Sequence, residues 1–189
     1  MKVVTMGPKG SCHENAVYKY MKYHEIDEFE VIFVMDFLDG LEMIKNDEAD
    51  ILVQCSAHLT VHTVTEKYCN EIKVMDTFIY PTKDIVLLEN KNIEKPKTLG
   101  LVKATEGYLG DIKYDEIIYE TTKPIVGKGL CEGKYDAGVT TMEYYDDNKE
   151  KFRIRKRIGN VLTTWIVYGK HHTFKGEVMS TLPKGALKY

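Results

Sequence analysis

Long apolar runs are absent from this chain of 189 residues, so nothing in it reads as a membrane span. Met1 leads straight into the strand-like KVVTM, with no signal-peptide hydrophobic region. Excess basic charge is absent too. The net charge of −3 offers no surface to nucleic acid or to an anionic membrane, so neither is expected as a partner. The one basic cluster, Lys151, Arg153, Arg155, Lys156 and Arg157, alternates and reads as the solvated face of a strand. Closely spaced cysteines are also missing. Cys12, Cys55, Cys69 and Cys131 form no C-x-x-C pair, and they read as reduced thiols of a cytoplasmic protein. His58 and His62 stand four apart, but no Glu lies between them and no third ligand is near. No metal is expected, and no cofactor.

What is present is 43% hydrophobic residues, enough to core one domain or two small lobes. Their periodicity predicts strands over 2–6, 30–35, 50–54 and 72–80, with helices over 11–23, 36–46 and 60–68 between them. Strand–helix–strand succession implies parallel pairing. Pro81 breaks the run, and IVLL at 85–88 starts a second one. Strands follow over 98–102, 116–119 and 137–140, with helices from Thr105, over 122–132 and through Tyr144 and Tyr145. Phe152–Ile158 and Thr164–Tyr168 read as two further strands. The expected fold class is α/β and two-lobed, each lobe a mainly parallel sheet flanked by helices. Residues 1–80 with 159–175 form the first lobe and 81–158 the second, with a ligand cleft between them.

Three strand-to-helix junctions carry residues that chemistry needs. In GPKGSCHENA, Ser11 and Glu14 fit the S-x-x-E capping box. Gly7 and Gly10 leave the backbone beside them open, and a helix start attracts a carboxylate or phosphate. Capping alone and ligand contact both stand as readings. In ETTKPIV, Thr122 suits the N-cap, with Pro124 in the first turn where its missing N–H costs nothing. In KATEGYLG, Thr105 or Lys103 sits at the end of a strand. Cys55 reads either as a thiolate nucleophile beside His58 or as a buried thiol at a strand end. His58 or His62 remains open as a proton donor or ligand contact. Trp165, the only tryptophan, is either a core anchor or, with Asn160, Thr163 and Thr164 before it, part of a pocket wall. His171 and His172 read as exposed tail residues.

Taken in order, four stretches resemble the catalytic domain of the prephenate dehydratase family, itself similar to type 2 periplasmic-binding-protein folds. TMGPKGSCHENAV resembles the family's G-P-x-G-T opening. DFLDGLEMIKNDEADILVQ is similar to its helix and strand leading to a Pro-Ile-Glu-Asn-Ser motif. TTKPIVGKGLCEGKYDAGVTT resembles its S-T-x-x-A-A stretch, and RIGNVLTTWIVYG sits where the family carries Asn followed by Thr-Arg-Phe. The resemblance implies a lyase of aromatic amino acid biosynthesis acting on prephenate or a related cyclic dicarboxylate. Its partner would be a small-molecule carboxylate, and a homodimer is left open.

Two departures refine that implication. Thr163-Thr164-Trp165 lacks the arginine of Thr-Arg-Phe, and Gln54-Cys55-Ser56-Ala57-His58 does not spell Pro-Ile-Glu-Asn-Ser. The resemblance makes that arginine the clamp for a substrate carboxylate, because its planar fork binds the group bidentately. Without it the implied chemistry is loss of CO₂ without aromatisation, as in the bacilysin-type prephenate decarboxylases. Those share a similar opening, a Thr-Arg-Phe site altered to end in Trp, and no regulatory domain. Residues 176–189, with EVMSTLPKGALKY, resemble the start of the ACT regulatory domain that follows in dehydratases. The implied catalytic residues are His58, Thr163 and Thr164, with Glu14 a second proton carrier unless its cap engages it. Substrate binding falls to Gly7, Pro8, Gly10, Ser11, Ser56, Thr105, Thr121, Thr122 and Trp165. Lys103 or Lys123 is the candidate to replace the missing clamp. The alternative expectation is a non-catalytic protein that binds or senses a small carboxylate or aromatic amino acid.

Overall fold

Each apolar strand finds a place in one of two sheets in the computed structural model, which describes residues 1–171. From the N-terminus come β1 (Lys2–Met6), α1 (Cys12–Tyr23), β2 (Glu30–Val34), α2 (Phe37–Lys45), β3 (Ile51–Cys55), α3 (Val61–Lys67) and β4 (Lys73–Pro81). The second run is β5 (Ile85–Asn90), β6 (Thr98–Val102), a 3₁₀ turn (Lys103–Tyr108), β7 (Glu116–Glu120), α4 (Lys123–Cys131), β8 (Ala137–Thr141), α5 (Met142–Asp146) and β9 (Phe152–Gly159). Last comes β10 (Leu162–Gly169). The helix expected from Thr105 is only the 3₁₀ turn, since Gly107 and Gly110 make a longer helix unfavourable there.

The strand order is β2-β1-β3-β10-β4 in the first sheet and β7-β6-β8-β5-β9 in the second. β10 therefore returns to the first sheet after the chain has built the second. In each sheet one strand runs against its neighbours, β10 in the first and β5 in the second. These are the two strands that the chain enters on crossing from the other lobe. Arriving at the cleft side, each must run away from it, whereas the parallel strands end there.

Strand alternation assigns the two faces of each sheet. Val3, Ile51, Val53, Trp165 and Val167 pack under α1, while Val4, Met6 and Leu52 pack under α2 and α3. In the second sheet Val86 and Leu88 meet α4 through Val126 and Leu130, and Leu87, Leu99 and Val139 fill the opposite face with Leu109. The two crossovers are tied to each other. The Thr82 N–H donates to the Val161 carbonyl (2.9 Å), the Val161 N–H to Thr82 Oγ1 (3.0 Å), and Asn160 Nδ2 to the Thr82 carbonyl (2.9 Å). Among the described residues no helix is long and apolar enough to cross a membrane. The ACT-like stretch 176–189, and residues 172–175 assigned to the first lobe, lie outside the described residues.

Candidate functional site

The loops that follow β1, β3, β6 and β7 converge on one cavity, joined by the crossover residues Thr82 and Val161. This is the position in which parallel α/β sheets hold ligands, outside the carboxyl ends of the strands. The cavity holds about 110 Å³, of the order of the ~150 Å³ engineered cavity that admits benzene. That suits a single ring or a short chain rather than a nucleotide.

The second lobe supplies charge and hydrogen-bond donors. α4 starts at Thr122, whose backbone is extended (φ −144°, ψ 155°) and whose side chain makes no cap hydrogen bond. Its hydroxyl is buried and has no partner among the described residues, and the residue lines the cavity. Lys123 follows, also lining the cavity, and its ammonium has no hydrogen bond or ion pair among the described residues. An open helix start, a free hydroxyl and an unpaired cation together make an anion site. Thr121 lines the cavity from an exposed position. Thr105 lines it too, but its hydroxyl donates to the Val102 carbonyl at 2.7 Å.

The first lobe supplies a neutral wall. His13, in the first turn of α1, packs its ring at 5.2 Å from Trp165 and 5.5 Å from Phe37. Its Nε2 is sealed from solvent and has no hydrogen-bond partner among the described residues. Burial, then the Lys123 ammonium and His58, lower its pKa to about 3, so the ring is neutral at pH 7. His58 sits edge-on to Phe37 at 4.9 Å. Its Nδ1 lies 2.9 Å from Thr60 Oγ1 and accepts the Thr60 N–H at 3.3 Å, so its Nε2 carries the hydrogen of the neutral ring. Thr60 Oγ1 in turn accepts from Gln54 Nε2 at 2.9 Å. Burial lowers the His58 pKa, while Asp36 opposes the shift. Thr163 lines the cavity beside Cys55, with Oγ1 and Sγ 3.6 Å apart, and Cys12 lies on the same wall. Burial raises the Tyr108 phenol above its usual range, with Cys55 and Cys12 adding to it.

Of the residues expected at the site, His58, Thr163, Ser11, Thr105, Thr121 and Thr122 are thus brought together. Six others are not. Thr164 lies on the opposite face of the sheet, because neighbours along a strand point to opposite sides, and it pairs with the exposed Ile79 of β4 beside a separate groove. A longer side chain there would point away from the cavity, so position 164 cannot clamp a ligand in it. Trp165 is fully buried, with Nε1 donating to the Tyr80 carbonyl at 2.9 Å, and it backs His13 rather than lining the cavity. Ser56 is exposed, and its N–H donates to the Thr164 carbonyl at 2.9 Å. Gly7 and Pro8 shape the turn. A Cβ at Gly7 would come within 3.0 Å of Phe33, so the close approach there is to the protein itself. Gly10 has φ +87°, and its N–H is taken by the Glu14 carboxylate at 2.5 Å.

Glu14 is therefore committed to the cap. Ser11 Oγ accepts the Glu14 N–H at 3.2 Å and donates to the Met6 carbonyl at 3.1 Å, which closes the box. Lys103 pairs with Glu106 at 2.8 Å and Tyr119 at 3.0 Å, away from the cavity. His62 faces solvent, with Nε2 2.9 Å from the Glu66 carboxylate. Sequence reasoning passed over His13, which has no signal of its own beside the capping box.

No family model and no curated protein matches the sequence. Solved structures do. A prephenate dehydratase from Arthrobacter aurescens in complex with L-Phe has a TM-score of 0.66 and 14% identity, over 94% of this chain. The chain spans 63% of that protein's length. The periplasmic VFT2 domain of Bordetella pertussis BvgS has a TM-score of 0.57 and 15% identity, over 89% of this chain and 80% of its own. The GluR0 ligand-binding core in complex with L-glutamate has a TM-score of 0.54 and 14% identity, over 92% and 85%. At such identities the likeness establishes architecture alone. The chain has the two-lobed α/β fold of periplasmic-binding-protein type, in the company of a prephenate dehydratase and of ligand-binding domains.

Proposed function

We propose that the interlobe cavity binds a small ring-bearing carboxylate, with prephenate the leading candidate, and that the protein removes CO₂ from it without making the ring aromatic. The observation that carries this reading is the unsatisfied start of α4, where Thr122 Oγ1 and the Lys123 ammonium have no partner among the described residues and both residues border a cavity of single-ring size. One carboxylate rests there. The ring and its second carboxylate then lie against a wall that includes Val102, Ala57 and Val161, where poor solvation favours loss of CO₂. The electron pair of the broken C–C bond moves into the ring, a ring carbon takes up a proton from the His58 Nε2–H, which water then restores, and the hydroxyl stays in place. Dehydration would need an acid aimed at that hydroxyl. Among the described residues that line the cavity there is no Asp or Glu, so that acid would have to be His58, Tyr108 or Lys123.

A second reading is a binding or sensing protein with no chemistry. It is supported by the two tied crossovers, which can act as a hinge, and by the BvgS and GluR0 domains among the structural neighbours. Incubation with prephenate separates the readings. Disappearance of prephenate, giving a product that keeps its hydroxyl and a non-aromatic ring, supports decarboxylation. Rapid appearance of phenylpyruvate overturns it in favour of dehydration. Tight binding with prephenate left intact makes the protein a binder.

A further inference from the structure

We propose that an anion entering the cavity brings one proton with it, and that His13 receives that proton. This rests on reading the cavity as an anion site, and adds how binding there is regulated by pH. The geometry is specific. The His13 ring is held between Trp165 and Phe37, and its Nε2 is enclosed without a partner among the described residues. Nδ1 has no hydrogen-bond partner among the described residues either, and His13 lines the cavity. A histidine built only to fill the core would spend at least one nitrogen on a carbonyl or hydroxyl.

The groups facing His13 explain why the site waits for an anion. Lys123 reaches it from α4 and His58 from the loop after β3. The thiols Cys12 and Cys55 and the Tyr108 phenol complete the titratable surroundings, while α2 and β10 present only the Phe37 and Trp165 rings. No carboxylate lines this cavity among the described residues. An imidazolium here would be poorly solvated and would sit against a lysine, so the empty site keeps the ring neutral, with a pKa of about 3. An anion held by Thr122 and Lys123 reverses the balance. It offsets the lysine and supplies the missing counter-charge, and two negative charges do so more strongly than one. The complex then holds one proton more than the free protein wherever the pH lies between the free and the bound pKa of His13. In that window affinity falls tenfold for each unit rise in pH.

The test is calorimetric titration of the protein with inorganic sulfate, a dianion that does not titrate above pH 4. Prephenate, which the proposed activity would consume, is followed separately by its competition with sulfate. Runs from pH 4.5 to 8 in buffers of different protonation heat count the protons taken up. The expected result is uptake approaching one proton at the acid end, with a slope of −1 in log affinity against pH, both fading as the pH passes the bound-state pKa of His13. His13→Gln should abolish both, while His58→Gln should keep them. Nitrogen NMR of the unaltered protein should show the His13 ring passing from neutral to imidazolium as either anion saturates, a readout independent of how the variants fold. Binding without proton uptake, or uptake that survives His13→Gln, overturns the inference and leaves the anion site standing. Sulfate binding with uptake, and no binding of prephenate, upholds His13 and removes prephenate as ligand. Binding of neither anion overturns both.

Discussion

Two helix starts meet at the cavity, and they look alike in sequence. Each follows a strand, each has a hydroxyl at the N-cap, and each has a proline close by. α1 is closed on itself: Ser11 takes the Glu14 N–H, and the Glu14 carboxylate takes the Gly10 N–H. α4 is open, because Thr122 makes no cap bond and no acidic residue stands in the first turn. The difference is one carboxylate. Where the chain supplies its own anion the helix start is structural, and where it supplies none an unsatisfied donor set is left beside the cavity. The same division separates the two walls. The first lobe presents neutral rings and thiols, the second the cation and the free hydroxyl.

The strongest way to break this comparison is to disable the open start. Lys123→Met should lower affinity for prephenate or sulfate by about 10- to 100-fold, the loss that goes with a charge-assisted hydrogen bond. Thr122→Val should cost somewhat less. Neither should lower the melting temperature much, since neither group has a partner to lose. Calorimetry beside a melting curve checks both, and unchanged affinity in the two variants together would remove α4 from the site. Gly10→Val tests the closed start from the other side. No atom lies within 4 Å of the added Cβ, but φ is +87°, so the change should cost about 1–2 kcal/mol of stability in a denaturant titration. Affinity in the folded protein should stay the same.

Ser11→Ala should cost about 1 kcal/mol, as for a lost N-cap, again with unaltered anion affinity. A large loss of affinity would mean that α1 also offers its N–H groups to the ligand. The smallest effect is expected from Thr164→Arg. On the far face of the sheet the new guanidinium should change stability by less than about 0.5 kcal/mol and leave affinity unchanged. A gain in carboxylate affinity there would contradict the assignment of faces.

Much of this architecture was legible because it is local. The apolar alternation of Val3–Met6 and Ile51–Val53 marks strands whichever lobe they join, and S-x-x-E marks a helix start wherever it occurs. The opposite facing of Thr163 and Thr164 was also within reach, since alternation along a strand is a local rule, but the resemblance to Thr-Arg-Phe drew attention to the wrong residue of the pair. His13 was not legible. Its position in the first turn of α1 says nothing about what lies opposite, and only the placement of α4 brings Lys123 near it.

By itself, the sequence determined the succession of strands and helices and the capped start of α1, because these depend on residues a few positions apart. Tertiary structure decided the rest. The return of β10 to the first sheet sets Thr163 beside Cys55, and Trp165 behind His13. The two lobes then turn an unpaired lysine toward a histidine more than a hundred residues away in the chain. Burial and charge act through space, so the neutrality of His13 and the lack of a partner for Thr122 Oγ1 among the described residues belong to the folded structure alone.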